Sequence, residues 1–183
     1  GILPMDTALI TLTGGTAVFD SRHAGVDKLV IGSDFVLLGA SNSNYIISVV
    51  YTTTATIFRK PIDIFAVQDI KVYDQTTESD EIPITNTDLV GNDYGVFWHK
   101  YDDKNVGTGK TMYPFGNIID GNNGDNYIIS YILNYEGIIT PLQLIPGITA
   151  ADKVYDGNTD ATITSRSTEG VLKGDNVFYV GGT

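Results

Sequence analysis

The chain repeats itself. Lys71-Val72-Tyr73-Asp74 returns as Lys153-Val154-Tyr155-Asp156, Asn44-Tyr45-Ile46-Ile47-Ser48 returns as Asn126-Tyr127-Ile128-Ile129-Ser130, and Gly25 and Lys28 return as Gly107 and Lys110, always 82 residues later. Arg59-Lys60-Pro61-Ile62 and Ile139-Thr140-Pro141-Leu142 form equivalent junctions 80 residues apart, so small insertions between the anchors cancel. A period this long exceeds the roughly 20 to 50 residues of a solenoid coil, and each copy must therefore be a small domain with its own core. The chain divides into a degenerate repeat over 1–60 that lacks its first strand, a complete repeat over 61–140, and the N-terminal half of a third over 141–183. Linkers are missing: one proline marks each boundary and fixes φ there, so a semi-rigid rod of domains is expected. Neither end coincides with a repeat boundary, and the reading expects a window on a longer array.

Local patterning says what each copy is made of. Ile, Val, Thr and Tyr recur in short runs, broken by 20 glycines and by Asn and Asp, while helix signals are nearly absent. Strands are expected at 8–13, 28–31, 35–38, 45–51, 54–58, 62–67, 95–101, 110–115, 127–133, 137–139, 142–145, 161–164 and 176–180, with turn-rich clusters such as Asp120-Gly121-Asn122-Asn123-Gly124-Asp125 between them. Short strands at this spacing predict an all-β fold of tandem antiparallel Ig-like sandwich repeats, with β-grasp-like repeats as the alternative.

Charge narrows the partners. Against 11 Lys and Arg stand 22 Asp and Glu, a net charge of -11. Phosphate-backbone binding needs clustered cations that are scarce here, and an anionic membrane surface is disfavoured for the same reason. The uncharged stretch 35–58 is long enough to span a bilayer but is rich in Ser, Thr and Asn, so membrane insertion is not expected. No signal peptide is visible. Zero cysteines remove disulfides, thiolate metal sites and cysteine nucleophiles together.

The order of motifs resembles a known family. Lys153-Val154-Tyr155-Asp156-Gly157-Asn158-Thr159-Asp160-Ala161-Thr162, with Asp103 through Lys110, Asp125-Asn126-Tyr127 and the Ile139-Thr140-Pro141 junction, is similar to the YDG domain, an MBG-like module repeated in filamentous-haemagglutinin-like bacterial surface adhesins. The likeness covers 61–165 best. In the first repeat it keeps only Ala24-Gly25-Val26, Lys28 and Asn44-Tyr45, and the second places Gln75 where glycine normally follows the tyrosine-aspartate pair. The resemblance implies a non-enzymatic, extracellular stalk or adhesive repeat, secreted or on the bacterial cell surface. Its partners would be neighbouring repeats of the same chain and a host glycan or protein, with homo-oligomers forming through open strand edges. Residue by residue, Tyr155-Asp156-Gly157 reads as a strand-ending turn and the two glycines at 107 and 109 as a hairpin or bulge.

Other chemistry fits less well. Gly107-Thr108-Gly109-Lys110-Thr111 ends like a phosphate-binding loop, but position 104 is Lys and Met112-Tyr113-Pro114-Phe115 does not start a helix. Asp156, Asn158 and Asp160 begin like a calcium loop that then fails at Ala161 and Ser167, and the loops at 120–125 and 102–103 are looser calcium candidates. His23 and His99 lack ligand spacing or triad partners. Asp102 and Asp103 are a neighbouring pair expected by chance among so many acids, so no catalytic, cofactor or metal residue is assigned. Lys71, Lys110 and Lys153 recur in register, as a Lys-to-Asn amide crosslink would require. Trp98 with Phe97 and Tyr101, and Tyr127, Tyr131 and Tyr135, suit either a glycan-stacking surface or, more simply, a core face.

Overall fold

The computed structural model describes residues 1–178, and these fold almost wholly as strands. In chain order they are β1 (Thr11–Phe19), β2 (Gly25–Leu38), a single 3-10 turn (Asn42–Asn44), β3 (Thr53–Ile57), β4 (Lys60–Phe65), β5 (Ile70–Val72), β6 (Ile84–Thr85), β7 (Tyr94–Tyr101), β8 (Gly107–Ile119), β9 (Tyr127–Ile132), β10 (Asn134–Thr140), β11 (Ile145–Ala150) and β12 (Ile163–Glu169). The fold is all-β. Among the described residues no helix is long and apolar enough to cross a membrane.

Hydrogen bonding arranges the strands in four sheets, ordered β1-β2-β3, β5-β10-β8-β7, β6-β4-β9 and β11-β12. The 82-residue period is visible in the ladders themselves. Gly25 pairs with Ile57 and Lys28 with Ala55 in β2 and β3, with an irregularity between the two pairs; Gly107 pairs with Ile139 and Lys110 with Gly137 in β8 and β10, again with an irregularity between. The bulge therefore belongs to the repeat. It is held by a left-handed residue in each copy, Asp27 at φ 52° and Gly109 at φ 68°. Most pairings are antiparallel. β5, however, joins β10 in parallel, because it enters the sheet edge in the same sense as the strand that closes the repeat.

The chain forms two compact units, Gly1–Ile62 with Asp88–Val96 and Asn117–Ser130, and Asp63–Thr87 with Phe97–Gly116 and Tyr131–Thr183. In the second unit Ala66, Tyr101, Met112 and Ile139 form a buried cluster against which Tyr73 packs. Alternation puts these side chains inward: β8 buries Lys110, Met112 and Pro114 while Tyr113 and Phe115 face out.

Two expected strands fail. Residues 45–51 are not a strand although 44–48 match, residue for residue, the start of β9. β9 pairs with β4, whereas no backbone hydrogen bond engages 46–51 among the described residues, and a strand without a partner has nothing to hold it extended. The strand expected at 142–145 begins only at Ile145 and runs on to Ala150. Of the last expected strand, 176–178 are irregular, and 179 and 180 lie outside the described residues. β5 and β6, with three and two residues, are too short for any pattern to announce.

Candidate functional sites at the repeat turns

Three kinds of polar cluster recur along the chain, and each lies at a turn. The first is the lysine-capped turn of the Lys-Val-Tyr-Asp motif. Lys71 Nζ donates to Asp74 Oδ1 at 2.9 Å and to the carbonyl and hydroxyl oxygens of Thr76 at 3.0 Å, while Thr76 N–H donates to Asp74 Oδ1 at 2.8 Å. One period later Lys153 Nζ donates to Asp156 Oδ1 at 2.9 Å and to the backbone and side-chain oxygens of Asn158 at 2.9 and 2.7 Å, and Asn158 N–H donates to Asp156 at 3.1 Å. Lys153, then the Asn158 amide, hold the Asp156 carboxyl below the usual carboxylate range. The residue after the aspartate is left-handed in both turns, Gly157 at φ 81° and Gln75 at φ 70°. Gln75 thus keeps the geometry that its sequence position put in question.

A second lysine clamps the hairpin before each bulge. Lys110, with its side chain 7% exposed, reaches Asp103 Oδ1 at 2.8 Å and Asp102 Oδ1 at 3.1 Å. Burial disfavours its charge, but the two carboxylates outweigh that, so its pKa is raised. Lys28 does the same in the first repeat with Asp20 Oδ1 at 3.1 Å and Ser21 Oγ at 2.6 Å. The backbone bonds correspond as well, Asp20 N–H to Leu29 O and Asp102 N–H to Thr111 O, each at 2.9 Å.

The third cluster is a turn closed by an aspartate and clasped by a tyrosine, and sequence reading missed it because its spacing differs by five residues between copies. In Leu3-Pro4-Met5-Asp6 the Asp6 N–H donates to Leu3 O, Leu3 N–H donates to Tyr45 Oη at 3.1 Å, and that hydroxyl donates to Asp6 Oδ2 at 2.7 Å. In Val90-Gly91-Asn92-Asp93 the same three bonds join Val90, Asp93 and Tyr127, with the hydroxyl 2.9 Å from Val90 N and 2.8 Å from Asp93 Oδ2. Tyr127 is buried, and loss of water together with the Asp93 charge raises its pKa. Leu172-Lys173-Gly174-Asp175 makes the same turn, and there Asp175 accepts from Tyr73 at 3.1 Å.

Successive repeats meet at these turns. In the first unit Arg22 donates to Asp93 Oδ1 at 3.1 Å and to Asp120 O at 3.0 Å, and Ala24 N–H donates to Asn126 Oδ1 at 2.9 Å. His23 lies beside Asn126, with 3.2 Å between Nδ1 and Nδ2. Asp120 holds the loop from within. Burial opposes its charge, yet the amides of Gly124, Asn126 and Asn122, at 2.7 to 3.0 Å, win and lower its pKa. A cavity of about 180 Å³ lies beside this junction, lined in part by Ala24, Val90, Asp93 and Tyr127. In the second unit one of equal volume is lined by Val106, Leu172 and Asp175, each one period after Ala24, Val90 and Asp93, and by Tyr73, Leu142 and Leu144.

The remaining sequence candidates can now be placed. Gly107-Thr108-Gly109-Lys110-Thr111 lies within β8, and its lysine is occupied by Asp102 and Asp103. Of the calcium-like residues, Asp156 and Asn158 already bind the ammonium of Lys153 where a cation would sit. No group of three or more His, Asp or Glu side chains is placed to hold a metal ion among the described residues. The three register lysines face carboxylates about half exposed, at Asp74, Asp103 and Asp156. His99 is fully buried: its Nε2 lies 2.8 Å from Ser79 Oγ, which donates to Asp69 at 2.7 Å, and its Nδ1 has no partner among the described residues. Serine thus lies between histidine and aspartate, the wrong order for a nucleophile with its base. Trp98 stacks on Phe115 with centroids 6.3 Å apart and both rings exposed, while Tyr101 is buried. Tyr127 is buried, but Tyr131 and Tyr135 are exposed, since the chain leaves β9 at Leu133 and the face is not continuous.

Strands, bulges and turns that recur at one period define the class: an all-β protein of tandem small domains. The model of the YDG domain matches residues 59–133 and again 140–183, and the chain belongs to the YDG-domain family. No curated protein and no solved structure matches it.

Proposed function

We propose that this chain is a structural spacer, a segment of tandem non-enzymatic repeats from a large exported bacterial adhesin that holds a binding region away from the cell surface. The observation that carries this reading is how the polar side chains are used. Lys28, Lys71, Lys110 and Lys153, the tyrosines of the turns and the aspartates they meet are bound to one another, in arrangements that recur from copy to copy. Groups committed this way stiffen a domain and leave little chemistry for a substrate. The net charge of -11 keeps such an array soluble and self-repelling.

The exposed Trp98 and Phe115 pair supports a second reading, in which the repeat itself stacks on a glycan ring or a host protein. A glycan array probed with the full chain separates the two. The spacer reading expects no saturable binding. Saturable binding lost on Trp98→Ala, with thermal stability retained, would replace it with the ligand-binding reading.

A further inference from the structure

The sequence Asn-Tyr-Ile-Ile-Ser occurs twice and folds in two ways. At 126–130 it leads into β9, which lies beside β4; the pairing is bracketed by Lys60 N–H to Asn126 O at 2.8 Å and Ala66 N–H to Ile132 O at 3.0 Å. Both isoleucines of β4, Ile62 and Ile64, are completely buried there. At 44–48 the same residues open an irregular segment in which Ile46 and Tyr51 are each 88% exposed. Everything around that segment is repeated faithfully: β2 and β3 keep the register of β8 and β10, and Tyr45 clasps its turn as Tyr127 does. What differs is the neighbour. Sheet β1-β2-β3 has no strand of the β4 type beside it, and Asn44 O and Val50 O, one period before Asn126 O and Ile132 O, accept no backbone N–H among the described residues.

We propose that residues 44–50 are an acceptor edge for the first strand of another YDG repeat, which adds beside them as β4 adds beside β9. The occupant is set by chemistry on both sides. It is a strand that opens on proline and alternates aliphatic with polar residues, so that the aliphatic side chains turn inward as Ile62 and Ile64 do. Its first amide bonds to Asn44 O and the amide six residues on to Val50 O. Pro141-Leu142-Gln143-Leu144 repeats the pattern within this chain, so a repeat of the same kind carries the required strand. On docking, 45–51 become the strand that their sequence encodes.

The test joins a copy of residues 59–66 to the N-terminus of the full chain through a flexible Gly/Ser linker of about 12 residues, which sets a local concentration in the millimolar range. Hydrogen exchange is read at the amides of 45–51 in the parent chain, in the fusion, and in a fusion whose added strand carries Asp in place of both isoleucines. Exchange slowed about 10-fold or more in the fusion alone, with β3 amides unchanged in all three proteins, supports the acceptor edge. Equal exchange in the three proteins, or equal slowing by the Asp-bearing strand, overturns it.

Discussion

Gln75 sits at φ 70° in the turn where its counterpart is Gly157 at φ 81°. A residue with a Cβ is strained in that region by about 1 to 2 kcal/mol, and the one bond that Gln75 makes in return, to Lys173 O at 3.2 Å, lies on the surface. Gln75→Gly should therefore stabilise the chain by about 0.5 kcal/mol, read as a higher urea midpoint at unchanged m. His99 makes the opposite kind of demand. Burial holds its pKa below the ordinary 6.5, against the attraction of Asp69 and Glu81. An imidazole that resists protonation when folded lets the unfolded chain bind more protons below about pH 6.5, so its contribution is complete above that value and is lost as pH falls toward the folded pKa. Stability should decline between pH 6.5 and 5 more steeply in the parent chain than in His99→Gln. Equal slopes would show that His99 takes no part. The tyrosine-aspartate clasp and the buried histidine were not legible in the sequence, because their partners lie 20 to 40 residues apart with no fixed spacing.

At the level of strands, the paired copies act as internal controls. Gly137 in β10 corresponds to Ala55 in β3, and a Cβ on Gly137 would lie 2.7 Å from Met112 Sδ and 3.0 Å from Lys110 O. The first repeat has Val30 in place of Met112 and accommodates alanine there. Gly137→Ala should then cost about 1 to 3 kcal/mol by overpacking, while the reverse change, Ala55→Gly, should cost under about 1 kcal/mol; denaturant titration of both variants checks the contrast. The same comparison shows what sequence could reveal about the elements. The alternating runs of β4, β7 and β9 were legible because each packs one face and has a partner. Residues 45–51 carry an equally good pattern, yet a strand is a property of two segments, and the pattern says nothing about whether the second is present.

Over the whole molecule, the repeat was the most legible feature and also the one with most consequence, since it fixes which residues are equivalent in turns, bulges and ladders. Its functional meaning rests on load. The measurement that addresses this most directly is single-molecule extension of the chain from its two ends. A spacer predicts that the complete repeat over 61–140 resists and then opens in one cooperative step, releasing on the order of 250 Å of chain at about 3.5 Å per residue. Gradual lengthening at low force, with no step of that size, would contradict it.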